Sequence, residues 1–193
     1  IITKKILYSA WLALCIYLFT LLISFVLASI INGPGGILYP IIMFTTELPE
    51  TAPIWIVTIK MLTLQVLSIL NIVLLISLIS FFIKNNLVTL LVSIVLVIGS
   101  SMTLKSNEAF HSIAHLNPFT YISSGDVVTR FITQDTSNIH ITFENGIILL
   151  CILSIVLFTL NMIFAYRKKK NPILPQLHAE GGLGWCFEIA KVL

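Results

Sequence analysis

His111 and His115 stand four residues apart with Glu108 just ahead of them. On an α-helix that spacing puts two imidazoles on one face, where they could hold a metal ion or a haem. A zinc hydrolase site needs a third ligand and a carboxylate base, as in H-E-x-x-H. This stretch reads His-Ser-Ile-Ala-His, so histidines at a membrane surface fit better than a metal centre. His140 and His178 belong to no partner pattern. Cys15, Cys151 and Cys186 form no C-x-x-C pair and read as buried apolar thiols. Asn32, Gly33, Pro34, Gly35 and Gly36 lack the G-x-x-x-x-G-K-[ST] pattern of a phosphate cradle and read as a break in the chain. Gln65, Asn71 and Asn161 stand out differently, because each interrupts a long apolar run and should point at another helix or a cavity. Hydrogen bonding between helices is the plain reading of these three, and a place on a substrate pathway is the sharper one. Ser24, Ser68, Ser77, Ser93, Ser100, Ser101 and Ser154 are weaker signals, since serine can bond its own preceding turn.

The elements that must carry these residues follow from where charge is missing. Residues 6–31, 61–83, 87–104 and 146–166 contain no Asp, Glu, Lys, Arg or His. A spanning helix needs about 20 mainly apolar residues to cross about 30 Å of hydrocarbon. The composition agrees: 58% of residues are hydrophobic, 10% are charged, and the mean hydropathy is +1.04. A soluble domain carries about 25% charged residues. The fold class expected is therefore all-α, a polytopic helical membrane protein with four transmembrane helices. The first run is too long for the apolar core of a signal peptide, about 7 to 15 residues, and no small-x-small cleavage site closes it.

Basic residues set the orientation, because Lys and Arg near span ends stay on the cytoplasmic side. With both termini inside, Lys4, Lys5, Lys84, Arg167, Lys168, Lys169 and Lys170 all fall there, seven of the eleven Lys and Arg. Lys60, Lys105 and Arg130 fall outside with Glu47, Glu50, Glu108, Asp126, Asp135 and Glu144. The net charge of +3 is thus juxtamembrane, and no nucleic-acid partner is expected. The lipid bilayer is, with the 167–170 run facing anionic lipid as an anchor. Tyr8, Trp11, Tyr39, Trp55, Phe119, Tyr121 and Tyr166 gather near the span ends as belt aromatics.

Two outer excursions remain. Residues 37–59 hold Pro40, Pro49, Pro53, Glu47 and Glu50. An acid at a helix centre costs about 2.5 kcal/mol on insertion, so this stretch reads as two apolar arms around an acidic tip, either extending the flanking helices or forming an interfacial hairpin. The second excursion carries short amphipathic helices over about 106–133. Ala109, Phe110, Ile113 and Ala114 recur with helical spacing until Asn117-Pro118 interrupts them. Asp126 is then placed to cap a helix with Val127, Val128 and Phe131 on one stripe, followed by a polar loop over 134–140.

This order of spans, with a tight inner turn at Lys84 to Asn86 and paired outer helices, resembles the last four helices of type-2 ABC exporter permeases. The stretch His115-Leu116-Asn117-Pro118-Phe119-Thr120-Tyr121 is similar to the family's P-F-x-Y segment before the last helix, making Asn117, Pro118, Phe119 and Tyr121 the outer-helix motif. The resemblance covers about residues 1–170. It implies a multi-pass permease in the cell membrane, moving a hydrophobic or amphipathic substrate outward with a second permease copy or homologue and cytoplasmic ATPase subunits. The chain carries no Walker motif, so nucleotide chemistry is expected in the partner and no cofactor in this chain. The family's first two helices and main coupling helix would lie upstream of Ile1, so a fragment is expected. Residues 171–193, after Pro172, read as a cytoplasmic tail, either disordered or foreign to the original protein. Two alternatives stay open: a membrane-embedded enzyme acting on lipid or peptide through His111, His115 and the acids of the outer excursions, and a small channel or auxiliary membrane protein.

Overall fold

The computed structural model describes residues 2–33, 36, 40–43, 50–83, 85–106 and 108–170. Lys84, Tyr39, Glu47 and the tail from Asn171, with His178 and Cys186, lie outside the described residues. Helix α1 (Ile2–Asn32) leads to a hairpin of β1 (Pro40–Met43) and β2 (Glu50–Pro53), then to α2 (Ile54–Phe82) and α3 (Asn86–Ser106). Two 3₁₀ helices, Glu108–Leu116 and Pro118–Ile122, precede the short α4 (Ser124–Val128), α5 (Phe131–Thr136) and the long α6 (Phe143–Lys170).

Among the described residues, three helices are long and apolar enough to cross a membrane: 25 residues of α1 from Leu7 to Ile31, all of α2, and Phe143–Arg167 of α6. In α3 the apolar stretch is shorter, Asn86–Ser100, and falls below that length. The outward faces are oily. On α1, Trp11 and Phe25 are 67% exposed and Ile31 78%, without cover from the other described residues. Apolar surface of that extent is at home in lipid and not in water. The chain is built as a membrane protein.

α2 is the hub, packing against α1, α3, α6, α4 and the Pro118–Ile122 turn. It starts seven residues earlier than the charge pattern implied, directly after Pro53, whose extended backbone (φ −61°, ψ 139°) makes it the N-cap. Lys60 does not stop the helix because its ammonium lies over the Phe143 ring, 5.2 Å from the centroid. Both readings of the first excursion hold in part: α2 is extended, and among the described residues Pro40–Met43 and Glu50–Pro53 pair as antiparallel strands, with Ile41 opposite Ala52 and Pro40 opposite Pro53. Ile41 and Ala52 turn inward onto the core.

The pairing of α2 with α6 has a direction. Leu64 lies beside Gly146, Asn71 beside Leu150 and Ser154, Leu74 beside Asn161, and Phe82 beside Phe164. Partner numbers rise together, so the two helices run parallel. The 60 positions between Phe82 and Phe143 must therefore return the chain to its starting level, and α3, of 21 residues or about 31 Å, covers that distance. The short helices then cap the N-terminal ends of α2 and α6 through one cluster that includes Val57, Leu64, Tyr121, Val127, Ile141 and Leu150.

Inside this cap several local expectations change. Asp126 sits in the first turn of α4 and does not cap it, because the helix already starts at Ser124. Val127 and Val128 are buried but Phe131 is 50% exposed, since left-handed Arg130 (φ 61°) breaks the chain into α4 and α5 and rotates the stripe apart. The 134–140 stretch is not a free polar loop: Thr136 and Asn138 are buried, and Ser137 turns the chain with φ 52°.

Gly146 is where cap and bundle touch most closely. A Cβ there would stand 2.5 Å and 2.7 Å from the Tyr121 ring and 3.1 Å from Leu64. Gly146→Ala should lower unfolding stability by about 1–3 kcal/mol, the range for overpacked cores, read by thermal unfolding in detergent. Unchanged stability would contradict the contact.

Candidate functional site

Two asparagines stitch the α2–α6 seam reciprocally. Asn71 Nδ2 donates to the Leu67 carbonyl of its own helix (2.9 Å) and, across the seam, to the Leu150 carbonyl (3.0 Å) and Ser154 Oγ (2.9 Å). Asn161 Nδ2 donates to its own Leu157 carbonyl (2.8 Å) and across to Leu74 (3.0 Å). Each amide thus uses a carbonyl lone pair that the helix leaves spare. The oxygens Asn71 Oδ1, Asn161 Oδ1 and Ser68 Oγ are buried along the same pair of helices without a hydrogen-bond partner. Gln65 is placed apart from this seam, its Oε1 accepting from the Tyr17 hydroxyl of α1. All three polar residues picked from the sequence therefore join helices. Many of the hydroxyls bond back to their own helix, as in Ser24 to Thr20, Ser93 to Thr89 and Ser100 to Val97.

The Asn-Pro-Phe-Thr-Tyr stretch is the clamp of the cap. Asn117 Oδ1 accepts from the Phe119 N–H (3.0 Å), and Pro118 takes the first helical position, where its missing N–H is not needed. That opens the second 3₁₀ helix and turns Thr120 and Tyr121 back. Thr120 Oγ1 donates to the Ala114 carbonyl (2.8 Å) and the Tyr121 hydroxyl to the His115 carbonyl (3.0 Å). Tyr121 is fully buried and not a belt aromatic; its ring fills the gap over Gly146. Phe119 is half-buried. Tyr8, Trp11, Trp55 and Tyr166 do project outward.

His111 and His115 do not share a face. The segment is 3₁₀, with three residues per turn, so positions three apart align and positions four apart are offset. Instead His115 meets His140, ring centroids 5.2 Å apart, a pairing invisible in the sequence because 25 residues separate them. Asn138 builds it: its Nδ2 donates to the His111 (2.6 Å) and Ser112 (3.1 Å) carbonyls and lies 3.3 Å from His115 Nδ1, while its Oδ1 accepts the His140 N–H (3.0 Å). Among the described residues no group of three His, Cys, Asp or Glu is placed to hold a metal. Cys15 and Cys151 are free and exposed on the bundle surface, not buried, because their helix faces meet no neighbour among the described residues. Lys4 and Lys5 lie in the first turn of α1, and Arg167 to Lys170 end α6.

Compared with protein-family models, curated proteins and solved structures, the chain matches none.

Replacing Asn71 or Asn161 by Leu should each weaken the helix pair by about 0.6 kcal/mol, and at most about 1.7, the range for polar contacts within membranes; unfolding in mixed micelles measures it. Burial pushes the Tyr121 hydroxyl up to about 12 from its usual 10. A raised folded value stabilises fully below pH 10 and is lost as pH climbs from 10 through 12. Tyrosinate absorbance should show a late-titrating group that Tyr121→Phe removes, and an unchanged titration in that variant would contradict the burial.

Proposed function

We propose that this chain is a membrane-spanning permease subunit of an ATP-driven exporter, the C-terminal four-helix portion of the type-2 class, moving a hydrophobic or amphipathic substrate outward. The observation that carries the proposal is the parallel course of α2 and α6 with a return path between them. In this reading α3 is the fourth crossing. Its helix of 21 residues matches about 30 Å of hydrocarbon, and Asn85, whose side-chain oxygen accepts the Leu87 N–H at 3.0 Å, lies in the tight turn before it. The cap then sits on the outer surface, and Lys4, Lys5, Lys84 and Arg167 to Lys170 share the cytoplasmic side by the positive-inside rule.

Two features support a subunit over a self-sufficient unit. Helix α1 leaves most of its apolar surface uncovered by the other described residues and is held to α2 through Tyr17 and Gln65. A partner copy of the permease would cover such a surface. The α2–α6 pair, by contrast, is locked through its seam and offers a rigid body against which α1 can shift. ATPase subunits closing below would bias that shift between two arrangements.

The full-length gene product, purified with its neighbours intact, should bring down a nucleotide-binding ATPase. Solubilised protein that is active without such a subunit would contradict export and favour a membrane enzyme or an auxiliary protein.

A further inference from the structure

A shallow surface notch, open to the outside and enclosing only about 20 Å³, lies where the hairpin, α2, the cap and the start of α6 converge. Lys60, Arg130 and Glu144 contribute its charge, and Met43, Val127 and Val128 supply apolar wall. Among the described residues neither cation is matched by a carboxylate in an ion pair. The Lys60 ammonium rests on the Phe143 ring, which leaves its N–H donors free for an anion. Arg130 reaches the hollow from a left-handed backbone position, φ 61°, that non-glycine residues seldom adopt. The cap thus accepts strain at the residue that presents the second cation.

The level of the hollow is set by α2. Its 29 residues measure about 43 Å against about 30 Å of hydrocarbon, so more than 10 Å of helix stands in headgroup layers. Lys60 lies six residues, about 9 Å, below the helix start, at the boundary where a lysine reaches toward phosphates. Two cations and one acid around an open notch with apolar wall complement a group that carries one phosphate and one amine.

We propose that this hollow binds the headgroup of an amine-bearing phospholipid, with the phosphate on Lys60 and Arg130 and the ammonium on Glu144. Charge-assisted bonds to phosphate supply the affinity, and the acid supplies the choice of headgroup. The assignment goes beyond the export reading and does not use it, requiring only that the hollow stand at headgroup level. Absence of an ATPase partner would leave it intact, and its failure would leave export intact.

The test is native mass spectrometry of the whole chain in detergent, titrated separately with phosphatidylethanolamine, phosphatidylcholine, phosphatidylglycerol and inorganic phosphate. Phosphatidylethanolamine should be retained about tenfold more tightly than phosphatidylcholine, the worth of about 1.4 kcal/mol. Lys60→Gln with Arg130→Asn, the asparagine chosen because it tolerates the left-handed backbone, should weaken retention about tenfold or more. Lys60→Arg should keep it, and Glu144→Gln should erase the preference over phosphatidylcholine while leaving phosphate-dependent retention. Equal retention by the wild type and the double variant overturns the proposal. So does wild-type retention of phosphatidylglycerol or phosphatidylcholine as tight as that of phosphatidylethanolamine. Displacement of lipid by inorganic phosphate would assign the hollow to a soluble anion and overturn the lipid assignment. Should the double variant fail to fold, the Glu144→Gln headgroup comparison decides alone.

Discussion

Asn71 and Asn161 hold α2 and α6 side by side in the same direction, and the rest of the chain is arranged around that constraint. Antiparallel neighbours can be joined by a tight turn, but parallel helices need a return path along the stretch over which they pair. α3 supplies the length, and the cap supplies the lateral step back to the head of α6. The seam is polar where it fixes register and apolar between, with Leu74 and Leu157 packed against Leu70 and Leu153. In lipid, apolar contact alone gives little preference for one register over another, since the tails are as oily as leucine. Amide-to-carbonyl bonds at two heights pin both the direction and the stagger.

The cap solves a second problem raised by the same constraint. Two parallel helices present their N-terminal ends on the same side, α2 starting about two turns before α6, and both leave their first N–H groups open there. Thr142 answers part of this for α6, its carbonyl and hydroxyl taking the Gly146 and Asn145 N–H groups. Tyr121 seals the gap between the helix heads at Gly146, and Asn117, Pro118 and Thr120 hold Tyr121 at that angle. The Asn-Pro-Phe-Thr-Tyr run therefore has a mechanical explanation independent of any family likeness. It ties the cap to the fixed seam, while α1 remains the element least held.

Much of this was legible in the residues. Missing charge located α1 and α6 closely, and the rarity of amides in apolar runs singled out Gln65, Asn71 and Asn161, each of which joins two helices. The failures have physical causes. Lys60 looked like the edge of a span because charge patterning cannot see an aromatic ring 83 residues away that shelters an ammonium. The strands at Pro40–Met43 and Glu50–Pro53 are too short, and too rich in proline, for an alternating pattern. Periodicity also assumes α geometry, so it paired His111 with His115, whereas the 3₁₀ turn and Asn138 bring His115 to His140. Arg130 and Ser137 adopt left-handed backbone without the glycine that normally announces it.

The parallel course of α2 and α6 is most directly tested by pulsed electron resonance between paired spin labels in lipid. Labels at Ile83 and Arg167 should lie near one interhelical spacing, about 10 Å plus the label arms, while labels at Ile83 and Glu144 should be separated by a helix length, more than about 30 Å. The opposite ordering of those two distances would contradict the parallel pair, and with it the return path through α3.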